Sequence, residues 1–97
     1  MAANLKHAVA HKNLGNLLRD VRRDYEGAEE MYREATALDP KCPNPYWDLS
    51  RILEKQKNDI AGAVKQMEEF VRLGGIPGWN DGKGNLARLR AKLETTQ

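Results

Sequence analysis

Cysteine is nearly absent from the sequence, since Cys42 is the only one among 97 residues. An intrachain disulfide is therefore impossible, and a reducing, cytoplasmic location is the simplest expectation. Long apolar runs are absent as well. No stretch approaches the ~20 consecutive apolar residues that cross a bilayer, so we expect no membrane-spanning segment. The first residues also lack the apolar segment of a secretory signal.

Residue sets for catalysis are also lacking, because the sequence shows no nucleophile paired with a base and no pair of carboxylates suited to acid–base chemistry. The segment GWNDGKG, residues 78–84, is a poor phosphate loop, since its glycine spacing is one residue short and no Ser or Thr follows Lys83. His7 and His11 are spaced to bind one metal ion on a helix, but no third ligand is evident. We therefore expect a non-enzymatic protein without metal or cofactor.

What the sequence does contain is an internal repeat with a period of 35 residues. GAEEMYREATAL at residues 27–38 is answered by GAVKQMEEFVRL at residues 62–73. Upstream, NLGNLL at residues 13–18 is answered by DLSRIL at residues 48–53. Because the match extends over both halves of the unit, it indicates a repeated structural unit rather than a chance similarity.

Each unit is predicted to form two helices, and a fifth helix follows the second unit. Asp24 and Asp59 are suitable N-caps for the second helix of each unit, and Gly74-Gly75 is a suitable stop. The predicted helices cover residues 4–22, capped by Asn4; residues 24–38; residues 44–57, capped by Asn44; residues 59–74; and residues 83–95. No segment has the pattern of a strand, so the predicted fold is all-α.

Two kinds of side chain suggest how these helices pack. Apolar residues lie on roughly one side of the first and last helices, as in amphipathic helices. They are Leu5, Val9, Leu14, Leu17, Leu18 and Val21 in the first helix, and Leu86, Leu89 and Leu93 in the last. Small residues mark the closest contacts, because helices approach most closely where side chains are smallest. We expect Gly15 to face Ala28, Ser50 to face Ala63, and the large Phe70 to fill a wider gap.

The stretch NLGNLL … DYEGAEEMYREATALDP resembles a tetratricopeptide repeat, a helix-turn-helix unit of about 34 residues. The resemblance is strong over residues 8–40 and weaker over residues 43–75, where the closing proline is missing. Both units are one residue longer than the family's repeat, and His11 stands where the family usually has tryptophan. The resemblance implies one domain over residues 1–97, a right-handed superhelical stack of two repeats, a loop at 76–82 and a capping helix at about 83–95.

Charge is separated between the two helices of the first unit. Residues 1–23 have a net charge of +4, and residues 24–40 have a net charge of −5. In tetratricopeptide repeats the first helix of each unit lines a concave surface that binds peptides, so the resemblance places the basic helices at a groove. Helical spacing selects the groove residues. They are Lys12, Asn16 and Arg19 on the first helix, and Trp47 and Arg51 on the third, where Glu54 continues the stripe.

The predicted function is therefore that of an adaptor or scaffold that binds a protein or peptide in this groove, with Trp47 as an exposed anchor. The expected partner is acidic, and self-association is a further expectation, whereas membrane and nucleic acid are not expected. Lys12 and Asn16 also match tetratricopeptide domains that clamp the carboxylate terminus of chaperones, but Asp48 stands where the clamp has asparagine. The cations could alternatively form an ordinary solvated face.

A second family remains an alternative. AVKQMEEFVRLGGIPG, residues 63–78, also resembles the second helix of a pentatricopeptide repeat, a family whose solenoids bind single-stranded RNA base by base. The basic groove helices would suit RNA. However, Leu38-Asp39-Pro40 and Tyr32 favour the tetratricopeptide assignment, and two repeats would read only about two bases. In either family, Trp79 in the loop is expected to cover the end of the stack.

Overall fold

The computed structural model describes residues 5–75 and 81–96, and every regular element in these ranges is helical. The helices are α1 (Leu5–Leu17), which continues into a π-helical turn (Leu18–Arg22), α2 (Tyr25–Leu38), α3 (Asn44–Lys55), α4 (Ile60–Arg72) and α5 (Gly82–Thr96). The predicted all-α class is confirmed for the described residues. The predicted cap Asn4 and the predicted plug Trp79 lie outside them.

Each helix packs against the helix that follows it in the chain. The most extensive contacts join α1 to α2 and α3 to α4, which are the two predicted pairs, and α5 packs on α4. The hydrophobic core lies among α2, α3, α4 and α5. Its largest fully buried side chains are Tyr32, Leu49, Leu53, Met67, Phe70 and Leu89. The chain therefore places one continuous core across both pairs and the last helix.

Of the apolar residues predicted to lie on one side of the first helix, Leu18 packs against this core, but four others stay on the surface, so the amphipathic pattern is wrong for those four. Val9, Leu14, Leu17 and Val21 are 52%, 44%, 50% and 68% exposed. The side of α1 that faces α2 carries Gly15, where an added Cβ would lie 2.8 Å from the Tyr32 ring. Small residues thus allow α1 to approach α2 closely, and the bulky residues are left on the outer surface.

The predicted contacts of small residues are confirmed in part. Ser50 meets Ala63 as expected, because the Ser50 hydroxyl donates a hydrogen bond of 2.8 Å to the Ala63 carbonyl. At Gly15 an added Cβ would meet the Tyr32 ring first, and the expected contact with Ala28 stays a prediction. Phe70 fills the wider gap after the second pair, since an added Cβ on Gly82 would lie 2.8 Å from its ring. Close packing there requires a residue without a side chain at the start of α5.

The helix caps repeat along the chain. The carboxylate of Asp24 accepts a hydrogen bond of 3.0 Å from the Gly27 N–H, and Asp59 accepts one of 3.0 Å from the Gly62 N–H. Both predicted caps are confirmed. Asp81 caps α5 in the same way, through a bond of 2.8 Å from the Gly84 N–H. The helix at the C-terminal end therefore starts with the local motif that starts the second helix of each pair.

The cap predicted at Asn44 is wrong. Pro43 occupies the N-cap position of α3, and no side chain caps this helix. The helix begins at Asn44 because Pro45 fits its first turn, where no N–H donor is required. Instead, the Tyr46 hydroxyl donates a hydrogen bond of 3.1 Å to the Pro40 carbonyl and so ties α3 to the segment after α2.

The two turns that close the first helix of each pair also end alike. Arg23 and Asn58, 35 residues apart, are the only non-glycine residues with positive φ in the described chain, at 56° and 54°. After each of them, a backbone N–H returns to a leucine carbonyl, over 2.9 Å from Asp24 to Leu18 and 2.7 Å from Asp59 to Leu53. The repeat found in the sequence is therefore a repeat of backbone conformation.

Replacing Arg23 by asparagine is expected to stabilise the protein. Asparagine tolerates the left-handed conformation better than arginine does, so we expect the free energy of unfolding to rise by about 0.5 kcal/mol. Urea titration followed by circular dichroism would measure it. The reciprocal change, Asn58→Arg, should lower stability by a similar amount. An Arg23→Asn protein that is no more stable than the wild type would show that the left-handed conformation of Arg23 is not strained.

Candidate functional site

A cleft of about 560 Å³ lies between the end of the first helix and α3. We call it the α1–α3 cleft, and its lining residues are Arg19, Asp20, Arg23, Tyr25, Trp47, Asp48, Arg51, Ile52, Lys55 and Gln56. Arg19, Trp47 and Arg51, three of the five residues predicted for the groove, are thus brought together. Lys12 and Asn16, the other two, do not line the cleft.

Two local structures position the cleft residues. On α3, Trp47, Arg51 and Lys55 follow one another at intervals of four, which places them on one face of the helix. On the other wall, the π-helical turn and the left-handed Arg23 end the first helix. Helical spacing alone could have added Lys55 to the predicted set. The position of Arg23 depends on the turn, and no sequence signal pointed to it.

Arg19 joins the two walls of the cleft. Its Nε lies 2.7 Å from Asp20 Oδ1 and its Nη2 lies 3.0 Å from Asp20 Oδ2, while Nη1 donates to Asp48 Oδ1 over 3.0 Å. The hydrogen bond with Asp20 raises the pKa of Arg19 and lowers the pKa of the Asp20 carboxyl. Arg19 is therefore already engaged within the chain, and it holds the π-helical turn against α3.

Asp48 is the half-buried acid of the cleft, with a side chain 17% exposed. Burial raises the pKa of its carboxyl above the ordinary value, although the nearby positive charges of Arg19, Lys12 and Arg51 oppose this. Asp48, which stands where the clamp has asparagine, therefore lies in the cleft and is paired with Arg19. It balances part of the positive charge that the sequence places on the first and third helices.

The remaining cations of the cleft are more available. Arg23 and Arg51 are exposed, and within residues 5–75 and 81–96 neither forms an ion pair. Lys55 approaches an acid only at 3.9 Å, in its contact with Glu54. With Arg19, these residues place four cations against the carboxylates of Asp20 and Asp48. The cleft therefore keeps a net positive charge.

Trp47 is less exposed than predicted. Its side chain is half-buried, and its ring packs on Phe70 with the centroids 5.2 Å apart and the planes tilted by 53°. One part of the indole thus belongs to the hydrophobic core, and another part lines the cleft. The rigid packing against Phe70 fixes the position of this apolar surface within a cleft that is otherwise polar.

Asn16 and Glu54, which were predicted to line the groove, form hydrogen bonds with neighbouring helices. The Tyr32 hydroxyl donates a hydrogen bond of 2.5 Å to Asn16 Oδ1, so Asn16 contributes to the packing of α1 on α2. Glu54, predicted to continue the stripe of Trp47, is only 4% exposed. It accepts two hydrogen bonds from Arg88 of α5, at 2.6 and 2.9 Å. Glu54 therefore does not line the cleft, because its carboxylate is buried and paired with α5.

The histidine pair shows no arrangement for a metal ion. His11 Nδ1 lies 2.7 Å from the His7 carbonyl oxygen, and its Nε2 lies 2.9 Å from a carboxylate oxygen of Glu34. Both ring nitrogens of His11 are thus engaged with the protein. In the described part of the chain, no group of three or more His, Cys, Asp or Glu residues is arranged to hold a metal ion.

Comparisons with known proteins leave the family open. No protein-family model matches the chain, and no curated protein is significantly similar to it. Within residues 5–75 and 81–96, no helix has both the length and the apolar character needed to cross a bilayer.

Proposed function

We propose that this protein is a non-enzymatic interaction module whose α1–α3 cleft binds an acidic segment of a partner protein. The observation that carries the proposal is the combination of Arg23 and Arg51, which form no ion pair in the described chain, with the half-buried indole of Trp47 in one cleft. An acidic side chain of the partner would pair with an arginine, and an apolar side chain beside it would cover Trp47.

The organisation of the cleft suits this task. Trp47 supplies apolar surface that loses water on binding, and the arginines supply orientation and association rate more than affinity. Because Arg19 is held by Asp20 and Asp48, the wall it forms is ordered before a partner arrives, which lowers the entropic cost of binding. The short cleft limits the contact area, so modest affinity is expected.

We further propose that the two helix pairs are units similar to tetratricopeptide repeats, stacked in a right-handed superhelix with α5 as its cap. The 35-residue period, the matching caps at Asp24 and Asp59, and the matching left-handed residues Arg23 and Asn58 support two equivalent units. The order of packing, from α1 to α5, is that of a linear stack.

Single-stranded RNA is the alternative ligand of a pentatricopeptide-like protein, and the cleft suits it less. The carboxylates of Asp20 and Asp48 lie in the cleft, and the exposed acids of α2 include Glu26, Glu30 and Glu34. A polyanion would be repelled by these charges at several points along its backbone. A peptide that presents one or two acids can pair with Arg23 and Arg51 without approaching all of these carboxylates.

The test is selection from a phage library of acidic dodecapeptides, followed by titration of the best labelled peptide against variants. Replacing Trp47 by leucine, and Arg23 together with Arg51 by glutamate, should each weaken binding by about tenfold or more. The charge-reversed variant should lose most at low salt, because salt screens the interaction. Circular dichroism would confirm that both variants remain helical.

A matched control is Arg90→Glu, since Arg90 is an exposed arginine of α5 outside the cleft. It should bind the selected peptide as the wild type does. If both cleft variants bound the peptide as the wild type does, the binding site would not be the α1–α3 cleft. Binding of oligouridylate by the wild type, lost in the charge-reversed variant, together with failure to select any peptide, would favour the RNA alternative instead.

A further inference from the structure

The outer surface of the first helix carries an apolar stripe, which consists of Ala10, Leu14, Leu17 and Val21. All four residues are exposed, and the last three are 44%, 50% and 68% exposed. In the described chain, large apolar side chains with this degree of exposure occur only on α1 and the π-helical turn. The other helices bury or half-bury their large apolar side chains, so the stripe is an exception that calls for a partner.

The spacing of the stripe is that of a helix–helix seam. Its residues follow one another at intervals of four, three and four, the heptad spacing at which one helix packs along another. Val9 is also 52% exposed, but its position is more than a quarter turn away from the stripe, on the side toward Lys12 and Asn16. The stripe is therefore a narrow line suited to a single helix.

We propose that the stripe binds the same stripe of a second copy of this chain, with the two first helices antiparallel. In this arrangement Leu14 lies across from Leu17 of the second copy, and Ala10 lies across from Val21 of the second copy. Each contact between the two helices then joins two leucines, or alanine and valine. The two-fold axis of the dimer repeats each of these contacts once, with the two copies exchanged. The stripe is thus complementary to itself when reversed.

The charges beside the stripe favour the antiparallel direction. Lys6, Asn13 and Asp20 follow one another at intervals of seven along one flank, in the order positive, neutral, negative. In the register of the stripe, Asp20 of one antiparallel copy lies nearest to Asn13 of the other, whereas parallel copies would set Lys6 beside Lys6 and Asp20 beside Asp20. Lys12 and Arg19 lie on the side of the helix toward α3, near Asp48, so they do not add repulsion at the stripe.

The expected dimer is weak. The stripe extends over eleven residue steps, or about 17 Å of helix, which is short for a stable interface. We therefore expect association with a dissociation constant of roughly 10⁻⁵ M, visible at high protein concentration. A dimer would also present two α1–α3 cleft copies to one partner and strengthen binding there through multivalency.

Sedimentation equilibrium of the full chain between about 5 and 500 μM tests the proposal. The wild type should pass from monomer to dimer over this range. The double variant Leu14→Lys/Leu17→Lys should remain monomeric and helical, since both side chains are about half exposed in the monomer. Val9→Lys, an exposed apolar residue off the stripe, should dimerise as the wild type does. A wild type that stays monomeric, or a double variant that still dimerises, overturns the proposal.

Disulfide trapping tests the direction without removing any apolar contact. Cys42 is first replaced by serine, and Ala10→Cys and Val21→Cys are then prepared as separate single-cysteine proteins. After mixing and mild oxidation, the antiparallel pair should give mainly the disulfide that joins one variant to the other. Disulfides that join each variant mainly to itself would mean a parallel pair and would contradict the proposed arrangement.

Discussion

A chain that lacks residues 81–97 is expected to unfold or to aggregate. Leu86 and Leu89 of α5 are buried in the core, and Leu93 packs against it. Their removal would uncover α4 and the Phe70 ring, which Gly82 now approaches. Loss of even one such leucine costs about 2–5 kcal/mol, and a domain of this size has a total stability near the low end of about 5–15 kcal/mol. Circular dichroism and light scattering would record the loss.

The graded version of this experiment uses Leu89→Ala, which should lower the unfolding free energy by about 2–5 kcal/mol because this side chain is only 1% exposed. The control is a chain that lacks only residues 95–97. It leaves the three leucines in place, so its thermal transition should match that of the wild type. A chain without α5 that stayed monodisperse and melted like the wild type would show that α5 does not complete the core.

Replacing Arg88 by alanine is expected to destabilise the protein by about 2–3 kcal/mol near neutral pH. The Glu54 side chain is 2% exposed, and Arg88 is its principal partner, through two hydrogen bonds of 2.6 and 2.9 Å. Without Arg88, the carboxylate would stay buried with only Lys92 at 3.3 Å and Lys55 at 3.9 Å. The cost is therefore that of a buried charge left short of partners.

Two further variants separate this explanation from a general effect of arginine removal. Arg90, on the same helix, pairs with Glu68 over 2.8 Å, but both side chains are about half exposed, at 56% and 49%. Arg90→Ala should therefore leave the urea midpoint almost unchanged. Glu54→Gln should cost less than Arg88→Ala, because Arg88 and Lys92 can turn toward water. Equal losses for Arg88→Ala and Arg90→Ala would exclude the buried pair as the cause.

The same pair predicts a specific acid sensitivity. The hydrogen bonds from Arg88 lower the pKa of Glu54 from its ordinary 4.5 to about 2 in the folded state. Because the unfolded chain binds the proton more readily, this stabilisation is complete above pH 4.5 and is lost as the pH falls toward 2. Wild-type stability should thus fall by about 2–3 kcal/mol more than that of Glu54→Gln across this window. Urea titrations in which the unfolding free energies of the wild type and Glu54→Gln fall equally with pH would contradict this role of Glu54.

The helices and their ends were largely predictable, because short-range interactions determine them. Asp24 and Asp59 bond to N–H groups three residues further on, and Gly74 and Gly75, at φ 92° and 60°, end α4 where glycine was expected to end it. The 35-residue period added the relation between the two pairs. The cap of α3 was placed one residue too late, at Asn44 instead of Pro43, because the sequence offered both a capping side chain and a proline for the same turn.

The candidate site was less predictable, because it depends on which sides of the helices meet. Spacing placed Arg19, Trp47 and Arg51 at one surface, and the α1–α3 cleft contains all three. The same spacing assigned Asn16 and Glu54 to that surface, but neither lines the cleft. Each of the two borders a neighbouring helix, Asn16 through Tyr32 and Glu54 through Arg88, and periodicity within one helix does not report such neighbours.

By itself, the sequence determined an all-helical chain of two similar helix pairs and a final helix, since caps, glycine stops and periodicity are local properties. Only the tertiary structure decided which side of the first helix is buried. Gly15 fits against the Tyr32 ring, so Leu14 and Leu17 face outward despite their apolar character. It also decided the pairing of Arg19 with Asp48 and of Glu54 with Arg88, because these partners lie 29 and 34 residues apart and meet only through helix packing.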